Sequence, residues 1–146
     1  MARSGLSNVY PIQIAHERDE RIKRLSGKLD RVLVDAPCSG LGTLRRNPDM
    51  KWRQSPAAVA ELVQRQQAIL ASAARLLKPG GRLVYATCSL LDAENEGVAD
   101  AFAAPGFVRL DAAELVDPVL VENGCLRLWP HRHGTDGFFA AVWTKS

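Results

Sequence analysis

No stretch of this 146-residue chain approaches 18 consecutive apolar residues, so no segment has the length to span a bilayer. The opening Met1-Ala2-Arg3-Ser4 leads into no apolar core segment; no secretory leader is expected, and the expected compartment is the cytoplasm. Cysteine is scarce and odd in number, three in all, which argues against a disulfide framework. Histidine is equally scarce. His16, His131 and His133 form no CxxC or CxxH spacing with Cys38 or Cys88, so a four-ligand zinc site is not expected and no metal is assigned. Internal repeats and low-complexity tracts are absent. Neither sign of charge dominates: 19 Lys+Arg against 16 Asp+Glu leave +3, which permits an anionic partner without demanding one. With 47% hydrophobic and 24% charged residues, whole-chain disorder is excluded and one domain is expected.

What is present alternates between strand and helix signals, the pattern of an α/β domain with a mainly parallel sheet. Val9 to Ala15 alternates as a strand, with Pro11 placing it at an edge. His16 to Lys28 is charged throughout and reads as an exposed turn or short helix. Arg31-Val32-Leu33-Val34-Asp35 is an apolar run suited to a parallel strand buried on both faces. Ser55-Pro56 opens the best helix, with a capping hydroxyl and a proline at the first helical position. Val59, Leu62, Ile69, Leu70, Ala73 and Leu77 share its apolar face, and Lys78-Pro79-Gly80-Gly81 is expected to stop it. Arg82 to Thr87 reads as the next buried strand. Asp92 is the expected cap of a second helix over 93–103. The tail reads as an antiparallel pair, Cys125–Trp129 with Gly137–Thr144, joined by Pro130 to Asp136.

Two loops carry the chemistry-bearing residues, Asp35-Ala36-Pro37-Cys38-Ser39-Gly40 and Thr87-Cys88-Ser89. Each follows a predicted parallel strand, and one helix lies between them. In open parallel sheets ligands bind outside the carboxyl ends of the strands, so Cys38 and Cys88 are expected side by side on that edge. Cys125 lies within a strand pattern and is read as packing. For the loop pair three readings stand: inert packing, a disulfide, or a covalent nucleophile with a helper. The prolines, glycines and serines around them, which suit backbone held close to a ligand, favour the last. Asp35 closes an apolar strand, where burying an acid is costly unless a ligand or backbone group bonds to it. Beyond Gly42 the loop is basic and carries an aromatic residue: Arg45, Arg46, Lys51, Trp52 and Arg53. Cations that neutralise phosphates and a ring that stacks on a splayed base make this a candidate RNA-facing lip.

These residues resemble a known family. Asp-Ala-Pro-Cys-Ser-Gly, then Gly-Thr-Leu-Arg-Arg-Asn-Pro-Asp-Met-Lys-Trp, then Leu-Lys-Pro-Gly-Gly-Arg-Leu-Val-Tyr-Ala-Thr-Cys-Ser are similar to the Nop/Sun family of RNA cytosine-5 methyltransferases. Within it, the bacterial small-subunit ribosomal RNA branch is nearest. Glu94-Asn95-Glu96 and Asp136-Gly137-Phe138-Phe139 also fit, so the likeness runs from about Val9 to the C-terminus. It implies an α/β fold: the C-terminal half of a Rossmann-like class I S-adenosylmethionine-dependent methyltransferase, a mostly parallel sheet with a C-terminal antiparallel hairpin. It also implies roles. Cys88 would attack C6 of the target cytosine, Cys38 would help the covalent intermediate break down, and Asp35 would lie near both methyl donor and base. Glu17 or Asp19 would take the place of the family's ribose-binding acid.

No GxGxxG-like cluster precedes Asp35; Gly5 and Gly27 are isolated. Residues 1–146 are therefore expected to be a partial catalytic domain, without the main cofactor loop or an N-terminal RNA-binding domain, and inactive alone. Arg31–Asp35 would then be an open apolar edge, covered by a second copy of the chain in a homodimer or by a displaced Val9–Ala15 strand. Two other functions compete with the RNA methyltransferase reading. One is a non-catalytic RNA-binding or assembly module; the other is an amino-group methyltransferase, which needs no paired cysteines.

Overall fold

The structure is a computed structural model that describes residues 5–146; Met1–Ser4, the segment bearing on a secretory leader, lies outside the described residues. After an extended stretch, a short helix α1 (Glu20–Lys23) is capped by Asp19, whose side chain accepts from the Arg21 amide. Strand β1 (Leu29–Asp35) follows. The loop beyond it contains two 3-10 turns, Leu41–Thr43 and Pro48–Trp52. Helix α2 (Pro56–Ala74) then begins as its sequence dictates, with the Ser55 hydroxyl accepting from the Ala58 amide and Pro56 in the first turn. Strand β2 (Leu77–Thr87), helix α3 (Glu96–Ala101) and strands β3 (Phe107–Leu110), β4 (Val121–Glu122) and β5 (Cys125–Leu128) come next. A helical turn α4 (Pro130–His133) and strand β6 (Phe138–Lys145) complete the chain.

The strands form one sheet in the order β1-β2-β6-β5-β4, with β3 paired to β6 beyond the end of β5. The Rossmann-like α/β class holds, as does the C-terminal antiparallel hairpin, β5 with β6. The parallel content is smaller than the strand–helix alternation implies. Only β1 and β2 pair in parallel, joined by the crossover through α2; β3 runs in the same direction as β2 after a second crossover through α3, but β6 inserts between them and pairs antiparallel with both. Helix α2 packs on β1 and β2 and contacts α3. Leu70, Leu77, Leu83, Tyr85 and Phe139 are fully buried between these layers. Each such side chain contributes about 1.5–3 kcal/mol relative to leaving it in water.

Four local expectations are corrected. Val9–Ala15 forms no strand; it is exposed extended chain, since Pro11 offers no amide to a ladder. Helix α2 ends at Ala74, before the Lys-Pro-Gly-Gly stop, and Leu77 belongs to the sheet, paired with Leu29. Gly80, with φ +76°, lets the chain bulge before the regular register resumes at Arg82. Helix α3 starts at Glu96 with Asn95 at its cap position; Asp92 instead offers its backbone carbonyl to Asn95 and Gly97. Finally, β1 is not buried on both faces. Val34 is buried but Leu33 is 67% exposed, because α2 covers one face and no strand among the described residues pairs with the outer edge. No helix among the described residues is long and apolar enough to cross a membrane.

Candidate active site

Parallel pairing of β1 with β2 puts Asp35 opposite Ala86, so the chain leaves both strands at the same edge of the sheet. The two cysteine loops start there. Cys38 Sγ and Cys88 Sγ lie 3.4 Å apart, both thiols free and half-buried. Three loops are stitched through backbone. The Gly42 amide donates to the Cys88 carbonyl at 2.8 Å, and the Gly137 amide donates to the Gly42 carbonyl at 2.8 Å. Only glycine fits this approach: a Cβ on Gly42 would stand 2.2 Å from the Gly137 oxygen and 2.7 Å from the Cys88 oxygen. The tail is thus brought to the cysteines by β6.

The two sulfurs are electrostatically unequal. A hydrogen bond from Cys38 favours the Cys88 thiolate and lowers its pKa to about 7, against burial and the negative charges of Asp35 and Glu94. Cys38 moves the other way. Its hydrogen bond to Cys88, its burial and the neighbouring thiolate charge push it far above the ordinary thiol range. The pair therefore begins to lose its first proton near neutral pH, with Cys88 the sulfur favoured as thiolate and nucleophile.

The other residues singled out from sequence divide into groups. Asp35 is exposed, so it bears no burial cost, and its carboxylate has no hydrogen-bond or ion-pair partner among the described residues. With Glu17 it lines a groove of about 410 Å³ along the open edge of β1, whose other walls include Ile14, Val32, Leu33 and Ile69. Asp19 is not in that groove. It accepts from the amides of Arg21 (2.9 Å) and Ala15 (3.1 Å), and the Arg21 amide in particular holds its carboxyl below the usual carboxylate range. Of the two candidate acids, only Glu17 lines the groove that Asp35 lines.

The basic loop also divides. Arg45 donates to the Gly134 carbonyl (2.8 Å), and Arg46 pairs with Asp136 (3.1 Å); both are tied to the β5–β6 connection. Arg53 pairs with Asp49 at 2.6 Å. Lys51 stands 4.9 Å over the Trp52 ring, and Trp52 is 81% exposed. Cys125 is buried beside Arg109, at 2.7 Å, remote from the cysteine pair in its contacts.

Sequence reasoning assigned no role to the polar cluster beneath the cysteines. Ser39 and Ser89, each the residue after a cysteine, are buried and 3.1 Å apart through their hydroxyls. Glu94, with no exposed surface, accepts from the Ser39 amide (2.8 Å), from Gln66 Nε2 (3.0 Å) and from the Ser89 hydroxyl. Tyr85 donates to the Glu94 carbonyl at 2.6 Å, and Thr87 donates to Asn95 Oδ1 at 2.5 Å. The one available signal was an acid six residues after Cys88, but Asp92 and Glu96 beside it make the segment read as an ordinary polar turn.

Comparison with known proteins agrees with this geometry. The sequence profile of the family described as 16S rRNA methyltransferase RsmB/F matches residues 3–144. A putative methyltransferase of Mycobacterium tuberculosis is 50% identical over 128 residues, 85% of this chain and 28% of that protein. A probable ribosomal RNA small subunit methyltransferase B of Synechocystis is 48% identical over 81% of this chain and 28% of its own length. The chain thus spans little more than a quarter of the curated relatives it matches. Among solved structures, NSun6 from Pyrococcus horikoshii with SFG superposes with a TM-score of 0.80 at 31% identity, covering 99% of this chain and 36% of that one. With nearly its whole length accounted for by that profile, and paired thiols at the strand ends where the Nop/Sun motifs put them, this chain belongs to the 16S rRNA methyltransferase RsmB/F family.

Proposed function

We propose that this chain carries the cysteine machinery of an RNA cytosine-5 methyltransferase acting on ribosomal RNA in the cytoplasm, and that turnover requires chain beyond these 146 residues. The observation that carries the reading is the pair of thiols 3.4 Å apart, with the Cys88 pKa lowered by its hydrogen bond with Cys38. Cytosine C5 is a poor nucleophile. When the Cys88 thiolate bonds to C6, the electron pair of the C5–C6 double bond is released toward C5, which can then take a methyl group. The base must first be splayed out of any helix, and Trp52 with Lys51 is the exposed aromatic–cation element suited to hold RNA at that lip.

S-adenosylmethionine, when bound, supplies the methyl group. The groove beside β1 fits it: Glu17 and the unpaired Asp35 suit hydroxyl and ammonium donors, and Val32, Leu33 and Ile69 supply an apolar wall. After methyl transfer, a base takes the C5 proton, the C5–H bonding pair re-forms the C5–C6 double bond, and the C6–sulfur bond breaks with its pair returning to Cys88 as thiolate. Cys38 is poised to assist. Its pKa is held up first by the hydrogen bond to Cys88 and also by that thiolate's charge, and both influences vanish while Cys88 is bonded to carbon. Cys38, relieved of both, can release its proton to solvent and as thiolate take the proton from C5, returning to the thiol form.

The test is trapping with 5-fluorocytosine RNA and S-adenosylmethionine, on this chain and on a full-length relative. A covalent complex lost in Cys88→Ala supports the reading, and its absence from this chain alone supports the need for further chain. A full-length relative that methylates cytosine without forming the complex overturns it.

A further inference from the structure

We infer that Glu94 is a positioning residue for the cysteine pair, a buried strut that ties the residue after Cys38 to the residue after Cys88 and so sets the distance between the two sulfurs. The inference rests on the cysteine-adduct reading above and deepens it.

The geometry is specific. One carboxylate oxygen, Oε1, accepts from the Ser39 amide in the first cysteine loop and from Gln66 on α2. The other, Oε2, accepts from the Ser89 hydroxyl in the second loop. Gln66 in turn donates to the Pro37 carbonyl at 2.9 Å, so α2 secures the same loop from below. The Ser39 and Ser89 hydroxyls close the ring between the loops. Glu94 itself is anchored by Tyr85, whose hydroxyl donates to its carbonyl, and by the α3 entry turn.

A fully buried carboxylate with no cationic partner is costly, and three donors aimed at it are the compensation. A merely structural core would be served as well by an apolar residue. What an apolar residue cannot do is accept simultaneously from two loops that meet nowhere else through side chains except at the thiols and the serine hydroxyls. The groups facing Cys88 are Cys38 and Asp35 from the β1 side and Glu94 from the turn after β2. The hydrogen bond from Cys38 is the largest influence lowering its pKa, ahead of a backbone amide, so the thiolate depends on the strut that keeps Cys38 in contact. The glutamate's own charge opposes the thiolate, which makes geometry, and not charge, the reason for its presence.

The experiment reads the Cys88 thiol directly and needs no methyl transfer, so it succeeds or fails independently of the reaction assigned above. Iodoacetamide alkylation of Cys88 is followed by peptide mass spectrometry across pH 5.5–10 in the wild-type chain, Glu94→Gln, Glu94→Ala and Ser89→Ala, with circular dichroism to score folding. Glu94→Gln keeps an acceptor for the Ser39 amide and loses the charge; its Cys88 midpoint is expected at or below the wild-type value. Glu94→Ala and Ser89→Ala break the strut, and the midpoint is expected to rise by roughly one pH unit toward the ordinary thiol value. Unchanged midpoints in folded Glu94→Ala and Ser89→Ala overturn the inference. If Glu94→Ala does not fold, an unchanged midpoint in Ser89→Ala alone does so, as does an upward shift in Glu94→Gln equal to that in Ser89→Ala.

Discussion

The Gly42 amide donates to the Cys88 carbonyl at 2.8 Å, and the Gly137 amide donates to the Gly42 carbonyl at the same distance, so one glycine joins the nucleophile's loop to the chain's tail. Replacing Gly42 with alanine forces backbone apart, since no flexible side chain is there to yield. Gly42→Ala is expected to destabilise the chain by about 1–3 kcal/mol in urea unfolding and to slow Cys88 alkylation. Gly80→Ala is the control. Its Cβ meets nothing within 4 Å but its φ is +76°, so it should cost about 1–2 kcal/mol and leave Cys88 reactivity unchanged.

The thiol pair has a defined pH response. Cys88 alkylation in the wild-type chain should rise with a midpoint near pH 7, because deprotonation creates the nucleophile. Cys38→Ala removes the largest influence lowering that pKa while leaving Asp35 and Glu94 to raise it. The midpoint is then expected at or above about 8.5. A midpoint that stays near 7 in Cys38→Ala would show that the hydrogen bond is not its cause.

Trp52 makes one close partner, Lys51, and is otherwise in water. Trp52→Ala should therefore leave unfolding unchanged. Its binding to single-stranded RNA, read by fluorescence anisotropy, should weaken by about 1–3 kcal/mol, the worth of one stacked base. Arg46→Ala should affect both measurements, because Arg46 also ties down Asp136.

Arg127 distinguishes packing from pairing. Its side chain is 3% exposed, lies 4.4 Å from the Trp129 ring centroid, and reaches Asp92 at 2.9 Å and Glu96 at 3.2 Å. Asp92 is 86% exposed, so its removal leaves the guanidinium with Glu96 and the Leu90 carbonyl; Asp92→Ala is expected to cost under about 1 kcal/mol. Arg127→Ala also loses the buried stem and its ring contacts and is expected to cost about 2–3 kcal/mol in thermal or urea unfolding.

The outer edge of β1 presents unpaired backbone with Leu33 exposed beside it. The isolated chain is expected to self-associate through this edge, with sedimentation showing a concentration-dependent dimer that Leu33→Lys shifts to monomer. A chain that remains monomeric at every concentration would rule this out.

Several features were legible because their signals are local. Ser55-Pro56 specifies the start of α2 through one hydroxyl and one missing amide, and the tail hairpin follows from alternation on either side of a turn. Cys38 and Cys88 were placed together by one topological rule, that two parallel strands joined by a helix end at the same edge. The misreadings have the opposite character. Val9–Ala15 alternates as a strand should, but alternation supplies no neighbour to pair with. Leu77 fits the helical stripe and the sheet register equally well, and the sheet won because pairing with Leu29 buries it completely.

Residue order alone determined that this is an α/β chain with a cysteine loop after each of two strands and a basic, aromatic lip, since each depends on periodicity or on spacing within one segment. How the two sulfurs come into contact, which of the two candidate acids shares a groove with Asp35, and what Glu94 joins were decided by the folded molecule. Charge and hydrogen-bond effects on a thiol fall off within a few ångströms, and the groups that act on Cys88 include Cys38, 50 residues away along the chain, and Asp35, farther still. No pattern in the sequence measures that distance; the crossover through α2 does.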